Sequence, residues 1–174
     1  MNRFVAAVGA AFIAFAGGLA LAADAPPTDA QIAHIAYTAG VIDIDVAKVA
    51  LDKAENADVK AFAEMMIKDH QAVNDQALAL VDKLGITPED NPTSQALNEQ
   101  AAAEKAKLEA LSGAEFDKAY IENEVAFHKQ VLDALDGTLI PATQNAELKA
   151  LLESGSKLFH GHELHAEQVA GELK

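Results

Sequence analysis

Cysteine is absent from the 174 residues, tryptophan is absent too, and aromatic residues make up only 5% of the chain. Without cysteine there can be no disulfide, no Cys-ligated zinc, no thiol catalysis and no lipid-anchored lipoprotein. Positive charge is scarce: 13 Lys and Arg stand against 27 Asp and Glu, a formal net charge of −14. This balance argues against nucleic acid as a partner and against anionic membrane surfaces. The excess carboxylates read as a solvated exterior, and their diffuse attraction for divalent cations implies no site. Alternating β-branched runs, which mark strands, are also missing. So are a Gly-rich phosphate loop, a Gly-x-Ser-x-Gly elbow and a His-Glu-x-x-His zinc motif. These absences weigh against an enzyme.

Long apolar runs are missing as well, apart from the one at the N-terminus. Met1-Asn2-Arg3 is a short basic start, and Phe4 to Leu21 is apolar and rich in Ala and Gly. With small residues at Ala20 and Ala22, this pattern predicts a signal peptide over residues 1–22 and a single mature domain over 23–174. An uncleaved N-terminal anchor is the rival reading, since the run is about long enough to span a bilayer. No transmembrane segment is expected in the mature chain. Its expected location is the periplasm, with secretion or peripheral outer-membrane association left open.

What the mature chain does have is helix-forming composition and helix punctuation. Thr28-Asp29-Ala30-Gln31 matches a capping box, so a first helix starts there and runs to about Ala54. Asn56 can cap a second, from Ala57 to Leu84, where Gly85 offers a left-handed stop. A shorter helix from about Thr93 to Leu111 follows a Pro-containing loop, then a helix from Ala114 to Asp136 ending at Gly137. Pro141 breaks the chain once more before a last helix, Asn145 to Leu173. Apolar residues recur in steps of three and four along the long helices, the pattern of seams that pack at shallow angles in bundles. In the first helix two seams compete, and Asp43 is core-facing in one and at the edge in the other. Short links join the first pair and the last pair of long helices, and a connection of more than twenty residues joins the pairs. The fold class is therefore all-α: a ferritin-like four-helix bundle whose long crossover contains an additional short helix. A plain up-and-down bundle with a decorated loop is the alternative.

Three seam positions that call for an apolar residue carry histidine instead: His70, His128 and His162, each near the middle of a different helix. An antiparallel bundle can bring them to one layer. A buried imidazole without partners costs about 1–3 kcal/mol, so each must be hydrogen-bonded, charged and paired, or bound to a metal. Neutral imidazoles suit Zn, Cu, Fe or Ni, and three of them leave a coordination position open. Asp43 and Glu124 are the best nearby carboxylates, His165 lies three residues after His162, and Tyr120 is the phenol placed to hydrogen-bond behind the ligands. Met66 and His70, four apart, would suit Cu(I), although Met at a seam ordinarily fills core volume. The competing account makes each histidine a satisfied core residue. On that view the protein is a structural or stress-protective envelope protein acting through its surface, and Leu97, Leu108 and Leu111 of the crossover are a candidate contact face. A conventional di-iron centre does not fit, because Glu64 is followed three residues later by Ile67, and Glu163 by Ala166, where that chemistry needs histidine. Gly155 and Ala39 either permit close packing or leave room for a ligand.

Several of these segments, in order, carry a family likeness: Asp43-Ile-Asp-Val-Ala-Lys-Val-Ala50, Val59-Lys-Ala-Phe-Ala63 leading to Met66-Ile-Lys-Asp-His70, Gly113-Ala-Glu-Phe-Asp-Lys-Ala-Tyr120 with His128, and His162-Glu-Leu-His-Ala166. Together they resemble the domain-of-unknown-function 4142 family over essentially the whole mature chain. The resemblance implies an exported bacterial protein with a ferritin-like helical fold. It implies no biochemical role, and the outer-membrane label often given to the family does not establish insertion. One departure is Asp43, where the family usually has the longer Glu.

Overall fold

In the computed structural model, residues 26–173 are described; the expected signal peptide lies outside them. The helices are α1 (Asp29–Lys53), α2 (Ala57–Leu84), α3 (Pro92–Glu109), α4 (Gly113–Ala134), a π-helical turn (Leu135–Leu139), a last short turn α5 (Ile140–Ala142), and α6 (Ala146–Glu172). No strand occurs among the described residues. The capping box forms as the sequence predicts: Thr28 Oγ1 accepts from the Gln31 N–H at 3.3 Å and Gln31 Oε1 from the Thr28 N–H at 3.1 Å. Asn56 caps α2 and Asn145 caps α6, each side-chain oxygen accepting from two N–H groups of the first turn. Gly85 ends α2 with a φ of 65°, the left-handed conformation that costs glycine nothing.

Two buried or half-buried carboxylates settle the topology. At one end of the bundle, Asp117 at the start of α4 accepts from the Glu55 and Asn56 N–H groups, 3.0 and 2.8 Å, in the link between α1 and α2. At the other end, Asp29 at the start of α1 accepts from the Gln144 and Asn145 N–H groups, both at 2.8 Å, just before α6. Thus α2 and α4 start at one end, α1 and α6 at the other. The connection carrying α3 must traverse the length of the bundle, which is the single long crossover of a ferritin-like bundle and not an up-and-down meander. The hydrophobic core unites all four long helices with Leu97 and Leu108 of α3.

Four details depart from the sequence expectation. Helix α4 does not stop at Gly137: the chain stays helical through a π-turn to Ala142, with Leu135 and Leu139 both buried. Gly137 is not left-handed, and its extra-wide turn lets both leucines face the core. The second seam drifts, so that Asn74 and Val81 are buried where Val73, Ala77, Leu80 and Leu84 were expected. A straight helix of 3.6 residues per turn slips past a strict seven-residue repeat over this length. Both competing seams of α1 are buried, because α3 covers the face that the bundle leaves free. The crossover leucines are no contact face: Leu97 and Leu108 are 2% and 1% exposed, and Leu111 packs partly buried against the core.

Candidate metal centre

One layer of the bundle collects side chains from all four long helices: Asp43 from α1, His70 from α2, Glu124 and His128 from α4, and His162 from α6. All five are buried. Asp43 therefore faces the core, which decides between the two positions its sequence allowed. The three imidazoles form a near-equilateral triangle, with ring centroids 5.7 Å apart for His70 and His128 and 5.4 Å for each of the other pairs. One nitrogen of each lies within 4.8 Å of the others, and one ligand atom each of Asp43, Glu124 and His128 forms a second such group. Phe159 stacks on His70 at 4.7 Å and fixes its plane.

The hydrogen bonds around the rings determine which nitrogens are available. His128 Nδ1 donates to the Glu124 backbone carbonyl one turn before it, at 3.0 Å. Its Nε2 is then the lone-pair nitrogen, and it faces Asp43 Oδ2 at 3.7 Å. His162 Nε2 donates to the Asp69 carboxylate at 3.2 Å, leaving Nδ1 as its lone-pair nitrogen. This is the carboxylate–histidine relay that orients metal-bound imidazoles. His70 Nε2 lies 3.4 Å from Asp43 Oδ2. Among the described residues no hydrogen-bond partner serves His128 Nε2, His162 Nδ1, either nitrogen of His70, either oxygen of Asp43, Glu124 Oε2 or the Tyr120 hydroxyl. Buried polar atoms are ordinarily paired, so this many in one layer calls for an explanation.

Electrostatics keep the layer close to neutral. Burial raises the Asp43 carboxyl to about 8, against a contact with Glu124 that lowers it. Burial, then the charge of Asp43, pushes Glu124 well above its usual range. Two carboxylates are both acceptors, so their contact becomes a hydrogen bond only with a proton between them. Burial lowers His128 to about 4 and His70 well below its usual value, in each case reinforced by neighbouring imidazoles. His162 is lowered by burial, partly offset by Asp69. At neutral pH these are neutral imidazoles, the form in which histidine binds metals.

Asp43, Glu124, His70, His128 and His162 are thus brought together as the sequence predicts. His165 is not: it is half-buried, packs edge-on against Phe62 at 5.4 Å and belongs to neither group of ligand atoms. Three residues along a helix keep roughly the same face but advance about 4.5 Å along the axis, which places the side chain in a different layer. Tyr120 is fully buried near the carboxylates but makes no hydrogen bond, contrary to the supporting role expected of it. Asp69 takes such a role instead. Sequence reasoning passed it over because it lies off the seam of its own helix and reaches a histidine on another.

A family model described as "Domain of unknown function (DUF4142)" matches residues 16–169. None of the curated proteins matches the chain. Among solved structures, a DUF305 fragment from Deinococcus radiodurans superposes with a TM-score of 0.73 at 16% identity, covering 85% of this chain and 98% of that one. A DUF305 protein from Streptomyces coelicolor, described as presumed secreted, gives 0.71 at 12% identity, covering 83% and 93%. At these identities the likeness bears on the fold alone.

Proposed function

The chain belongs to the DUF4142 family, and we propose that it is an exported periplasmic bundle protein that binds one transition-metal ion through His70, His128 and His162. The observation that carries this reading is the convergence of three neutral, buried imidazoles, each with at least one ring nitrogen that has no partner among the described residues. Three rings bound to one ion in tetrahedral geometry, with metal–nitrogen bonds of about 2.0–2.1 Å, have centroids about 5 Å apart. The rings already stand 5.4 to 5.7 Å apart, so small ring rotations suffice to close the site. Asp43 stands against two of the ring nitrogens at the distance of a neighbouring ligand, and burial favours a proton on the Asp43–Glu124 pair. A bound divalent ion would displace that proton and supply the missing partners in one event. The donor set of imidazole and carboxylate suits Zn, Cu(II), Fe or Ni. Met66 lies buried in the core, where volume filling accounts for it. Export rests on the expected signal peptide; among the described residues no helix is long and apolar enough to cross a membrane.

The competing account, a structural envelope protein with architectural histidines, calls for separate hydrogen-bonded sites, whereas these imidazoles converge. Titration of the metal-free mature domain with Zn, Cu, Fe and Ni tests the proposal, followed by the imidazole NMR signals of the native protein and of single alanine variants. Saturable binding of one ion that moves the His70, His128 and His162 signals together is the expected result. Failure of all four metals to bind would overturn it.

A further inference from the structure

Beside the histidine layer lies a cavity of about 60 Å³, walled mainly by Ala, Val, Leu and Phe side chains of all four long helices and the π-turn. Asp43, His70 and His128 line one side of it, and His162 does not. Close-packed interiors leave few voids larger than a water molecule, so a void abutting three candidate ligands needs a reason. Apart from Asn74 and the side formed by Asp43, His70 and His128, its walls are apolar, and an apolar wall of that kind takes up apolar guests.

Gly155, in the middle of α6, shows that the space is not forced by packing. Glycine inside a helix is unfavourable, and close approach of a neighbouring element is the usual reason to keep it. Here a Cβ would meet only the Phe159 ring, at 3.6 and 3.8 Å, which is ordinary contact. A side chain at position 155 has room to begin, and its absence leaves volume in the cavity wall. Gly40, which also lines the cavity, is the contrasting case: a Cβ there would collide with the Asn74 carboxamide, so that glycine is needed for packing.

We infer that this cavity is a chamber for a gas-sized, uncharged ligand, a molecule of two or three heavy atoms such as a diatomic gas, held against the Asp43, His70 and His128 side of the metal centre. The volume is less than half that of the roughly 150 Å³ apolar cavity that accepts benzene, which excludes aromatic rings. The role of the guest as a neighbour of the ion rests on the metal reading; its binding to the cavity does not.

Xenon is the probe, applied under pressure to the metal-free mature domain while imidazole NMR signals are followed. Saturable shifts at His70 and His128, with His162 and His34 unmoved, are expected, and Gly155→Val should abolish them by filling the chamber. Ala39→Val, at a lining position on α1, is the second filling variant should the first not fold. No saturable shift, or shifts that persist in a folded filling variant, would overturn the chamber. Zinc added to the same samples reads the metal centre separately, through His162 as well as the other two rings. A failure of the metal reading is thereby distinguished from a failure of the cavity.

Discussion

Replacing His70 with leucine separates the needs of a metal site from those of a hydrophobic core. The imidazole is 4% exposed and both of its nitrogens lack hydrogen-bond partners, a burden of about 1–3 kcal/mol on the metal-free fold. Leucine is close in volume and removes that burden, but it forfeits the stacking on Phe159 at 4.7 Å, worth about 0.5–1.5 kcal/mol. The balance is a gain of about 1 kcal/mol, which for a domain of this size raises the melting temperature by about 2–4 °C. In the native protein, zinc at one hundred times its dissociation constant adds about 2.7 kcal/mol, a rise of about 5–11 °C. Thermal melts with chelator and with zinc should therefore show a metal-free variant at least as stable as the native protein and with its zinc response gone. A metal-free variant that melts more than about 4 °C lower would mean that the His70 nitrogens are satisfied in solution. An undiminished zinc response would mean that His70 is not a ligand.

Asp69→Asn keeps the size of the side chain that orients His162 but weakens its hold on the ring N–H; zinc affinity should drop about 10–100-fold in competition titrations, with the helical fold unchanged. The metal-free protein should lose stability as pH rises from 6.5 to 8, because buried Asp43, raised to about 8, keeps a proton there that the unfolded chain has released. Asp43→Asn should reduce that slope in melts across the same window, leaving the part carried by Glu124, which burial raises in the same direction. Below pH 6.5 the opposite sign enters, since His128, lowered to about 4, stays neutral while the unfolded chain takes up a proton. Over pH 6 to 8 zinc affinity should rise with pH, by about tenfold per unit for each proton displaced, as measured by calorimetry in buffers of differing ionisation enthalpy. Asp117→Ala strands the two backbone N–H groups that tie the α1–α2 link to α4; it should cost about 2 kcal/mol or more, read as a fall of at least about 4 °C in melting temperature.

The helices and most of the histidine layer were legible because they depend on local signals. A capping box, Asn caps and a stop glycine fix helix ends through contacts within four residues, and a histidine in an apolar seam stands out on its own helix. The crossover was legible from link lengths alone. Asp69 was not, because what it contacts, His162, lies on a neighbouring helix 93 residues away. The π-turn was hidden for a related reason: Gly137 and Pro141 look like helix stops locally, and the burial of Leu135 and Leu139 overrides them. Asn74 escaped notice because a heptad template assigns its place to Val73, while the real helix turns slightly less per residue, so the core-facing position slips one residue on and sets Asn74 against Gly40. The two seams of α1 could be reconciled only once α3 was seen to cover the second.

The central claim, that three convergent imidazoles hold a metal, is tested most directly by the metal content of the mature domain isolated without an affinity tag. The comparison is with a variant carrying His70→Ala, His128→Ala and His162→Ala together, both analysed by mass spectrometry after buffer exchange and after reloading. The account predicts close to one ion of Zn, Cu, Fe or Ni per chain in the native domain and none held by the variant, with the helical circular dichroism of both intact. A native domain that holds no ion even after reloading, or a folded triple variant that holds as much as the native, would contradict it.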